Sequence, residues 1–441
     1  MRILFLFLFS ACYLEAMLLE NEVKEDLALA GIPAMIEPVA SEILDVAIIG
    51  GGHSGMGLSF ALRKRKIFNV AIFDKAPRGL EGPWLKTARM PVLRSKKTGL
   101  AAPALGIPRL SFQAYYQQKF GDWEQLGAVS TTLWAEYLHW YRDVLNMPIH
   151  NEWHLLSIVP EERSFKLLFE GGKEVRARKV VLATGRDGFG GFQFPEYSRF
   201  LPKDLYFHTG ELIDPKIFRD RKVCVIGSGS SAFDAAGCAL ESGAESVVML
   251  FRKKEIPTVN HLVLFDKWKD YYSMSDEEKI CLFQLAYDQG PPPPVESIAR
   301  VMKWKNFHLH PQTQVEGFDQ RDRILVKTDN GSFDADLIVF ATGYAAKPSA
   351  VPEISLFASE ILLWSDRHQG LYPKFAQFPY LGKHFEFLEK FPGQATYLKD
   401  IHCFNYGAFL SHGRIAGDID QLAIGLERLA DGIAIDLCDS N

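Results

Sequence analysis

The chain has 441 residues, a formal net charge of −5 and a hydrophobic fraction of 47%. This length exceeds what one small core needs, so we expect two domains or one elaborated domain. The composition is typical of a globular protein. The acidic balance gives no reason to expect a nucleic-acid partner, which would call for a basic surface.

The N-terminal segment, residues 1–40, has an ambiguous pattern. Arg2 is followed by a short apolar stretch and then by S-A-C at residues 10–12, which resembles a signal peptide with a lipoprotein cleavage site. The stretch is far shorter than the roughly 20 apolar residues that a membrane-spanning helix needs, and no other segment is apolar enough. A true start at Met17 would also explain the pattern.

A glycine-rich turn between two apolar runs predicts a dinucleotide-binding unit. Residues 45–49 predict a strand, residues 50–55 read G-G-G-H-S-G, and residues 56–66 predict a helix. A second predicted strand at residues 70–73 ends at Asp74. These are the components of a Rossmann unit, in which the N-terminus of the helix presents free N–H groups to a pyrophosphate.

Each residue of this first turn has a predicted task. Gly50 permits the tight turn, Gly52 lets the pyrophosphate approach the backbone, and Gly55 allows the helix to pack closely on the strand. Asp74 lies where a carboxylate accepts the ribose hydroxyls, and His53 is expected to offer only its backbone N–H. The predicted cofactor contacts of this unit are Gly50, Gly52, His53, Ser54, Gly55, Asp74 and Lys75.

A second copy of the pattern follows. Residues 222–226 predict a strand, residues 227–232 read G-S-G-S-S-A, and residues 233–240 predict a helix. The next strand, residues 247–251, ends not in an acid but in R-K-K at residues 252–254. Cations here favour the 2′-phosphate of NADP over the bare ribose of NAD, with a solvated basic strand end as the alternative. We therefore assign FAD to the first unit and NADPH to the second, with predicted NADPH contacts at Gly227, Gly229, Ser230, Ser231, Arg252 and Lys253.

Two further predicted strands, at residues 179–185 and 336–344, carry the tripeptide A-T-G at their ends. They flank the second unit, at the two points where the chain passes from one nucleotide domain to the other. These points are expected to lie against the cofactors. The predicted fold class is α/β, with two Rossmann-like dinucleotide-binding domains and the NADPH domain inserted into the FAD domain. These turns add Gly185, Thr342 and Gly343 to the predicted contacts. The predicted segments are 1–40 before the domains, 41–205 and 320–441 for FAD, and 206–319 for NADPH.

The order of these motifs resembles the flavin-containing monooxygenase superfamily. It runs G-x-G-x-x-G, G-x-W, A-T-G, G-x-G-x-x-A and then D-x-x-x-F-A-T-G-Y at residues 336–344. The last motif, with Pro348 shortly after it, is most similar to the branch that N-hydroxylates lysine and ornithine. Residues 82–95 and 411–418 resemble a related bacterial group of FAD/NAD(P)-binding oxidoreductases. The similarity covers about residues 42–435.

The resemblance implies a reaction. NADPH reduces FAD, oxygen adds to the reduced flavin, and the flavin hydroperoxide transfers one oxygen atom to a small, typically nucleophilic substrate. The candidate substrates are an amine, a thioether or a ketone. The six cysteines contain no C-x-x-C or C-x-x-x-x-C pair, so neither a metal site nor a disulfide reductase is indicated. The superfamily's linker fingerprint, F-x-G-x-x-x-H-x-x-x-(F/Y), is only partly present, at residues 207–210. An NADPH-dependent flavin reductase or oxidase without oxygenation, and a non-catalytic flavin-binding protein, therefore stay open as alternatives.

The resemblance also implies candidate residues around the flavin. Trp84 and Arg94 lie in the segment expected to reach the isoalloxazine, Trp84 as a packing wall and Arg94 as a catalytic cation beside the reduced flavin or the nicotinamide. His412 is a candidate catalytic proton donor, with a structural role as the alternative. Asp418 precedes an apolar-periodic run at residues 419–433 and is predicted to cap that helix, whose N-terminus would favour the anionic reduced flavin.

These motifs do not specify the substrate, because such pockets are assembled from loops distant in sequence. Segments 271–290 and 355–391 are expected to contribute, since they have no evident cofactor role. The predicted partners are a small-molecule substrate and O2, with no nucleic acid and no membrane span, and the oligomeric state is open. Dependence on NADPH favours a cytoplasmic location, with export as the alternative.

Overall fold

The computed structural model describes residues 18–34, 41–259, 262, 265–290 and 292–439. The signal-like pattern at residues 2–12 and the alternative start at Met17 lie outside the described residues. Within those ranges, no helix is both long and apolar enough to cross a membrane.

Groups of strands and groups of helices alternate along the chain. The strands are β1 (Ile43–Ile49), β2 (Val70–Asp74), β3 (Ile149–Asn151), β4 (Leu155–Pro160), β5 (Phe165–Phe169), β6 (Glu174–Leu182), β7 (Tyr206–His208), β8 (Lys222–Ile226), β9 (Ser246–Leu250), β10 (Phe307–His310), β11 (Val315–Gln320), β12 (Ile324–Thr328), β13 (Gly331–Ala335), β14 (Leu337–Phe340) and β15 (Ile401–Cys403). The α-helices are α1 (His53–Lys64), α2 (Phe112–Phe120), α3 (Thr131–Val144), α4 (Ser230–Glu241), α5 (Asp276–Gln289), α6 (Val295–Met302), α7 (Trp364–Arg367), α8 (Pro373–Ala376), α9 (Phe409–His412) and α10 (Leu422–Asp439). Residues 18–29 are also helical.

The first sheet has the strand order β3-β2-β1-β6-β5-β4, with β15 also paired to β6. β1 runs parallel to both β2 and β6, whereas β4, β5 and β6 pair antiparallel. The central strand is apolar almost throughout, and Val46, Ala47 and Ile48 are fully buried. This near-continuous apolar pattern is typical of a parallel strand that is covered on both faces.

The second sheet has the order β10-β9-β8-β14-β7, and its paired strands are parallel. A separate antiparallel sheet contains β11, β12 and β13. β14 lies in the segment 320–441 that we grouped with the FAD domain, yet it pairs with β8 of the second sheet. The boundary predicted at residue 320 therefore does not separate the strands of the two sheets. The second A-T-G strand, β14, belongs to the sheet of the second unit.

The long C-terminal helix packs on the first Rossmann helix. A Cβ atom placed on Gly57 of α1 would lie 2.6 Å from Cδ1 of Leu426 on α10. The helix predicted from residue 419 consists of a 3₁₀ turn, Ile419–Gln421, followed by α10 from Leu422. Asp418 occupies the predicted N-cap position, but its side chain makes no capping hydrogen bond and binds two arginines instead.

Candidate active site

The first glycine turn lies at the carboxyl end of β1, against the end of β6. Gly50 has φ 111°, and a Cβ there would lie 2.4 Å from the carbonyl oxygen of Ala183. A Cβ on Gly55 would lie 1.9 Å from the carbonyl oxygen of Gly50. Both positions therefore require glycine, the first for its backbone conformation and both for close approach of backbone to backbone.

The space above this turn fits a pyrophosphate. A Cβ on Gly52 would meet only Gly82, at 3.7 Å, so the backbone is open to a ligand on that side. Trp84 lies next to Gly82, and its ring centroid is 5.9 Å from that of His53. The indole Nε1 of Trp84 is buried and has no hydrogen-bond partner among the described residues. A buried donor of this kind normally has an acceptor, which a bound cofactor would supply.

Asp74 is held by the backbone at the end of β2. Its Oδ2 accepts from the Gly51 amide at 2.7 Å, and its Oδ1 accepts from the Ala76 amide at 2.7 Å. Each carboxylate oxygen retains a further acceptor position, so the predicted ribose contact is compatible with this geometry. Lys75 is exposed beside it.

Glu81 is a carboxylate near the first turn that the sequence did not single out. Its side chain is only 6% exposed, and Oε1 accepts from the Arg142 guanidinium and from Asn151 Nδ2, the latter at 2.6 Å. A Cβ on Gly51 would lie 3.3 Å from both Asp74 and Glu81. No local motif marks this residue, since its partners come from α3 and β3.

His53 and Asp418 meet beside the N-terminus of α1. The His53 Nε2 lies 3.1 Å from the carbonyl oxygen of Gly417, and burial lowers the pKa of His53. Arg186 donates to Asp418 at 2.9 Å, and Arg414 donates to its other oxygen. Burial alone would raise the pKa of Asp418, but the two arginines outweigh it and hold that pKa below its ordinary value. The carboxylate is therefore ionised at this edge of the site.

The second glycine turn repeats the geometry at the end of β8. Gly227 has φ 139°, and a Cβ there would lie 2.7 Å from the carbonyl oxygen of Ala341 at the end of β14. Ala232, which replaces the third glycine, is fully buried in α4. The Ser230 hydroxyl donates to the Pro292 carbonyl at 3.3 Å.

The remaining predicted NADPH contacts lie around this turn. Gly229 is the N-cap of α4 and Ser231 lies in its first turn. Arg252 and Lys253 follow β9, where Arg252 is exposed and burial lowers the pKa of Lys253. Neither side chain forms a salt bridge within the part of the chain that the structure describes, so both cations are available to a phosphate.

The two A-T-G turns bring the two sheets together. Gly185 and Gly343 have φ of 79° and 86°. The Asn405 amide donates to the Thr184 hydroxyl at 3.0 Å, and the Thr342 hydroxyl donates to the Gln193 carbonyl. An antiparallel bridge between Phe192 and Tyr344 joins the segments that follow the two turns.

Arg94 lines a cavity beside the segment that follows Trp84, and it reaches across to the second unit. Its guanidinium donates to Asp234 Oδ2 at 2.7 Å, while the Ser297 hydroxyl donates to Asp234 Oδ1 at 2.8 Å. Asp234 lies on α4 and its side chain is 4% exposed, whereas Arg94 is 42% exposed. The cavity is about 630 Å³, with Arg94, Lys96, Lys97 and Arg300 as its basic lining residues.

Two further arginines fasten the segment around Arg94 to the second unit. Arg89 donates to the carbonyls of Thr209 and Glu211 at 2.6 and 2.7 Å. Arg300 on α6 donates to the Arg89 carbonyl at 2.8 Å. The sequence motifs gave neither residue a task, because the carbonyls that join the two units lie more than 100 positions away from these arginines along the chain.

His412, the last residue of α9, is fully buried. Its Nε2 is 2.9 Å from the Gly382 carbonyl oxygen, and its ring stacks on Phe385 and Tyr272 with centroids 3.9 and 5.0 Å away. Burial and the neighbouring Arg428 hold the pKa of His412 well below its ordinary value. These contacts are those of a packed neutral imidazole, and the structure does not bring His412 together with Arg94 at the cavity.

The first and second sheets each carry a glycine turn and a following helix at the carboxyl ends of their parallel strands, and the A-T-G turns join those edges. This arrangement defines an oxidoreductase that binds two dinucleotides, and the residues present fit FAD at the first turn and NADPH at the second. Among the described residues, no group of three His, Cys, Asp or Glu side chains is placed to hold a metal ion.

Known proteins share this arrangement. The family model described as pyridine nucleotide-disulphide oxidoreductase matches residues 47–264. An FAD-dependent urate hydroxylase from Xanthomonas campestris pv. campestris is 33% identical over 408 residues, covering 90% of this chain and 86% of that protein. Ornithine hydroxylase from Pseudomonas aeruginosa superposes with a TM-score of 0.71 at 18% identity, covering 90% of this chain and all of that one. L-lysine 6-monooxygenase from Pseudomonas syringae gives a TM-score of 0.66 at 16% identity, with 90% and 99% coverage.

The chain belongs to the family of FAD-dependent monooxygenases that includes the urate hydroxylase. It is an FAD- and NADPH-dependent oxidoreductase of the flavin monooxygenase class. The predicted α/β fold class and the resemblance to flavin-containing monooxygenases are confirmed. The tasks given to individual site residues stay predictions.

Proposed function

We propose that this enzyme hydroxylates urate or a closely related oxidised purine, consuming one NADPH and one O2 for each oxygen atom inserted. The observation that carries the proposal is the 33% identity to the urate hydroxylase across nearly the whole of both chains. The ornithine and lysine hydroxylases share only 18% and 16% of their residues with this chain, which supports a common fold and no particular substrate.

The cofactors would lie along the two glycine turns. FAD would use the first turn with Asp74 and Trp84, and NADPH would use the second with Arg252 and Lys253. Bound FAD supplies the redox chemistry, taking reducing equivalents from NADPH and delivering one oxygen atom from O2 to the substrate. The protein positions the reactants, excludes water and holds charge where the reaction needs it.

The charge of the cavity supports an anionic substrate. Urate is a planar acid that carries one negative charge near neutral pH, and arginine presents a planar fork of donors to such an anion. Arg94 lines the cavity and uses one guanidinium nitrogen, Nη2, to bind Asp234. Lys96 and Lys97 add two further cations to the lining.

The same charge argues against an amine substrate. Ornithine and lysine carry an ammonium group that requires an acceptor at the binding site. Glu241 of the cavity lining is already bound by the Arg300 guanidinium at 2.5 Å. Glu296 is exposed to solvent and shares the lining with four basic residues, so the described lining offers little to an ammonium group.

We assign different tasks to the two predicted catalytic residues. Arg94 would orient the purine anion and stabilise negative charge as the reaction proceeds. His412 would maintain the packing behind the first unit rather than donate a proton, since its contacts are with Gly382, Phe385 and Tyr272. The need for NADPH also supports a cytoplasmic location, which cell fractionation would test.

The test is a stoichiometric assay with the FAD-loaded enzyme. Urate, NADPH, H+ and O2 should yield hydroxylated urate, NADP+ and water, so urate loss and NADPH oxidation should proceed one to one without peroxide. Ornithine and lysine are the comparison substrates, and neither of them should stimulate coupled turnover.

Two results would contradict the proposal. Coupled product formation from ornithine or lysine, with no response to urate, would mean that the enzyme is an N-hydroxylase of amines. NADPH oxidation that yields only peroxide with every compound would favour the flavin reductase or oxidase alternative.

A further inference from the structure

The two segments that carry no cofactor motif, residues 271–290 and 355–391, pack against each other. Asp276 at the start of α5 lies 2.7 Å from the Nε2 of His368 and accepts from the Tyr380 hydroxyl at 3.0 Å. Further along α5 the Phe283 and Phe375 rings contact edge to face, with centroids 6.4 Å apart. A helix from the second unit and a segment from the last part of the chain thus form one packed layer.

This layer carries Lys374 to the edge of the second sheet. The Lys374 ammonium lies 4.9 Å from the ring centroid of Tyr287, in the last turn of α5. It also lies 3.8 Å from a Cβ placed on Gly343, in the turn after β14. Lys374 therefore stands between α5 and the second A-T-G turn, although it comes from α8.

The ammonium is poorly compensated by the protein. Lys374 is partly buried and, within the described ranges, makes no hydrogen bond or salt bridge, and burial lowers its pKa. The face of Tyr287 and the C-terminal end of α5 attract a cation, but neither replaces the hydrogen bonds that water would give. A cation withdrawn from water without a partner is costly, and such groups are common where an anionic ligand completes the environment.

The position of Gly343 identifies the class of ligand. β14 and β8 are neighbours, and the end of β14 touches Gly227 of the second glycine turn. Ligands of parallel sheets bind at this carboxyl edge, and a dinucleotide spans several strand ends. Lys253 follows β9, where the ribose phosphate of the dinucleotide is expected. The Lys253 ammonium would lie 2.4 Å from a Cβ on Gly290, just past the end of α5.

Lys253 follows β9, and the Lys374 ammonium lies beside the turn after β14. The Gly227 turn follows β8, which lies between these two strands in the sheet. A dinucleotide whose 2′-phosphate lies at Lys253 passes its pyrophosphate over the turn and its nicotinamide half toward β14. We propose that Lys374 is an NADPH-binding residue, donated by the last segment of the chain, whose ammonium holds a phosphate oxygen on the nicotinamide side. The inference rests on the proposed placement of NADPH at the second turn and does not depend on urate as the substrate.

The test is the dissociation constant of NADP+ with the full-length, FAD-loaded protein, measured by titration calorimetry without urate. Lys374→Met should raise this constant about tenfold, the loss expected for one charge-assisted hydrogen bond. Lys374→Arg keeps the cation and should stay close to the unchanged protein. Lys383→Met removes an exposed lysine of the same segment and should have no effect. Flavin content and melting temperature of each variant show whether it is folded.

Two further measurements, the NADP+ affinity of Lys253→Met and the KM of Lys374→Met for urate, distinguish the ways in which the inference could be wrong. If Lys253→Met weakens NADP+ binding and Lys374→Met does not, NADPH lies at the second turn but the Lys374 inference is wrong. If Lys374→Met raises only the KM for urate, the cation belongs to the substrate and the inference is again wrong. If neither lysine affects NADP+ affinity, the placement of the nucleotide itself is overturned.

Discussion

Asp234 is a buried carboxylate whose two oxygens have separate partners, Arg94 and Ser297. An exposed arginine moves among many rotamers, and binding a ligand through it costs the entropy of ordering the side chain. A fixed carboxylate on α4 removes much of that cost before the substrate arrives. If Arg94 binds the substrate as proposed, Asp234 would act as its positioning residue, and the effect should appear in substrate binding rather than in the rate of the bound complex.

At the residue scale, we predict that substitutions of Arg94 and Asp234 raise the KM for urate. Arg94→Met should raise the KM for urate about tenfold or more, as expected for loss of a charge-assisted hydrogen bond, with a smaller effect on kcat. Asp234→Asn should raise KM less, and it should add nothing in an Arg94→Met background, because both changes remove the same interaction. Steady-state kinetics of the two single variants and the double variant give this comparison.

Ser297→Ala is the matched control, since it removes the other hydrogen bond to Asp234 and leaves the charge pair. It should change KM by less than Asp234→Asn. Additive losses in the double variant would instead mean that Asp234 supports the fold of α4 independently of Arg94.

The local parts of the site could be predicted from the sequence. Gly50, Gly52 and Gly55 are specified by one short motif between two strands, and the structure gives each of them the tight contact or open face that the motif requires. Asp234, Glu81 and Lys374 could not be found in this way. Each one lies beside residues of another element, and no spacing along the chain records that proximity.

The element-scale prediction concerns α1, which carries two glycines with different neighbours. At Gly55 a Cβ would meet the Gly50 carbonyl, a backbone atom that cannot move without distorting the turn. At Gly57 it would meet the end of the Leu426 side chain, which can adopt another rotamer. Gly55→Ala should therefore cost about 1–3 kcal/mol of stability and lower the FAD content.

Gly57→Ala is the matched substitution, and it should change the free energy of unfolding by less than about 1 kcal/mol because the better helix propensity of alanine offsets the repacking. Thermal unfolding and the flavin-to-protein absorbance ratio measure both effects. Equal losses of stability with unchanged FAD content in both variants would mean that the turn does not depend on the close contact at Gly55.

At the scale of the whole molecule, the segment from Trp84 to Arg94 belongs to the first unit but is fastened to the second. Arg89 holds the segment that begins at β7, and Arg300 reaches back from α6 to the Arg89 carbonyl. Arg300 is only 14% exposed and is itself fixed by Glu241. We expect these contacts to help hold the two cofactor edges at a fixed distance, on which transfer of reducing equivalents depends.

Removal of the Arg300 contacts should uncouple NADPH oxidation from hydroxylation without unfolding the protein. Arg300→Met leaves the Arg89 carbonyl and Glu241 without a donor, so the segment around Arg94 should open to water more often. We expect unchanged FAD content, a higher ratio of peroxide released to NADPH oxidised, and faster hydrogen exchange in residues 84–97. Arg199→Met, which breaks an exposed pair with Glu196 inside one 3₁₀ turn, should leave all three measurements unchanged. Tight coupling and unchanged exchange in Arg300→Met would show that the two units hold their relative position without this contact.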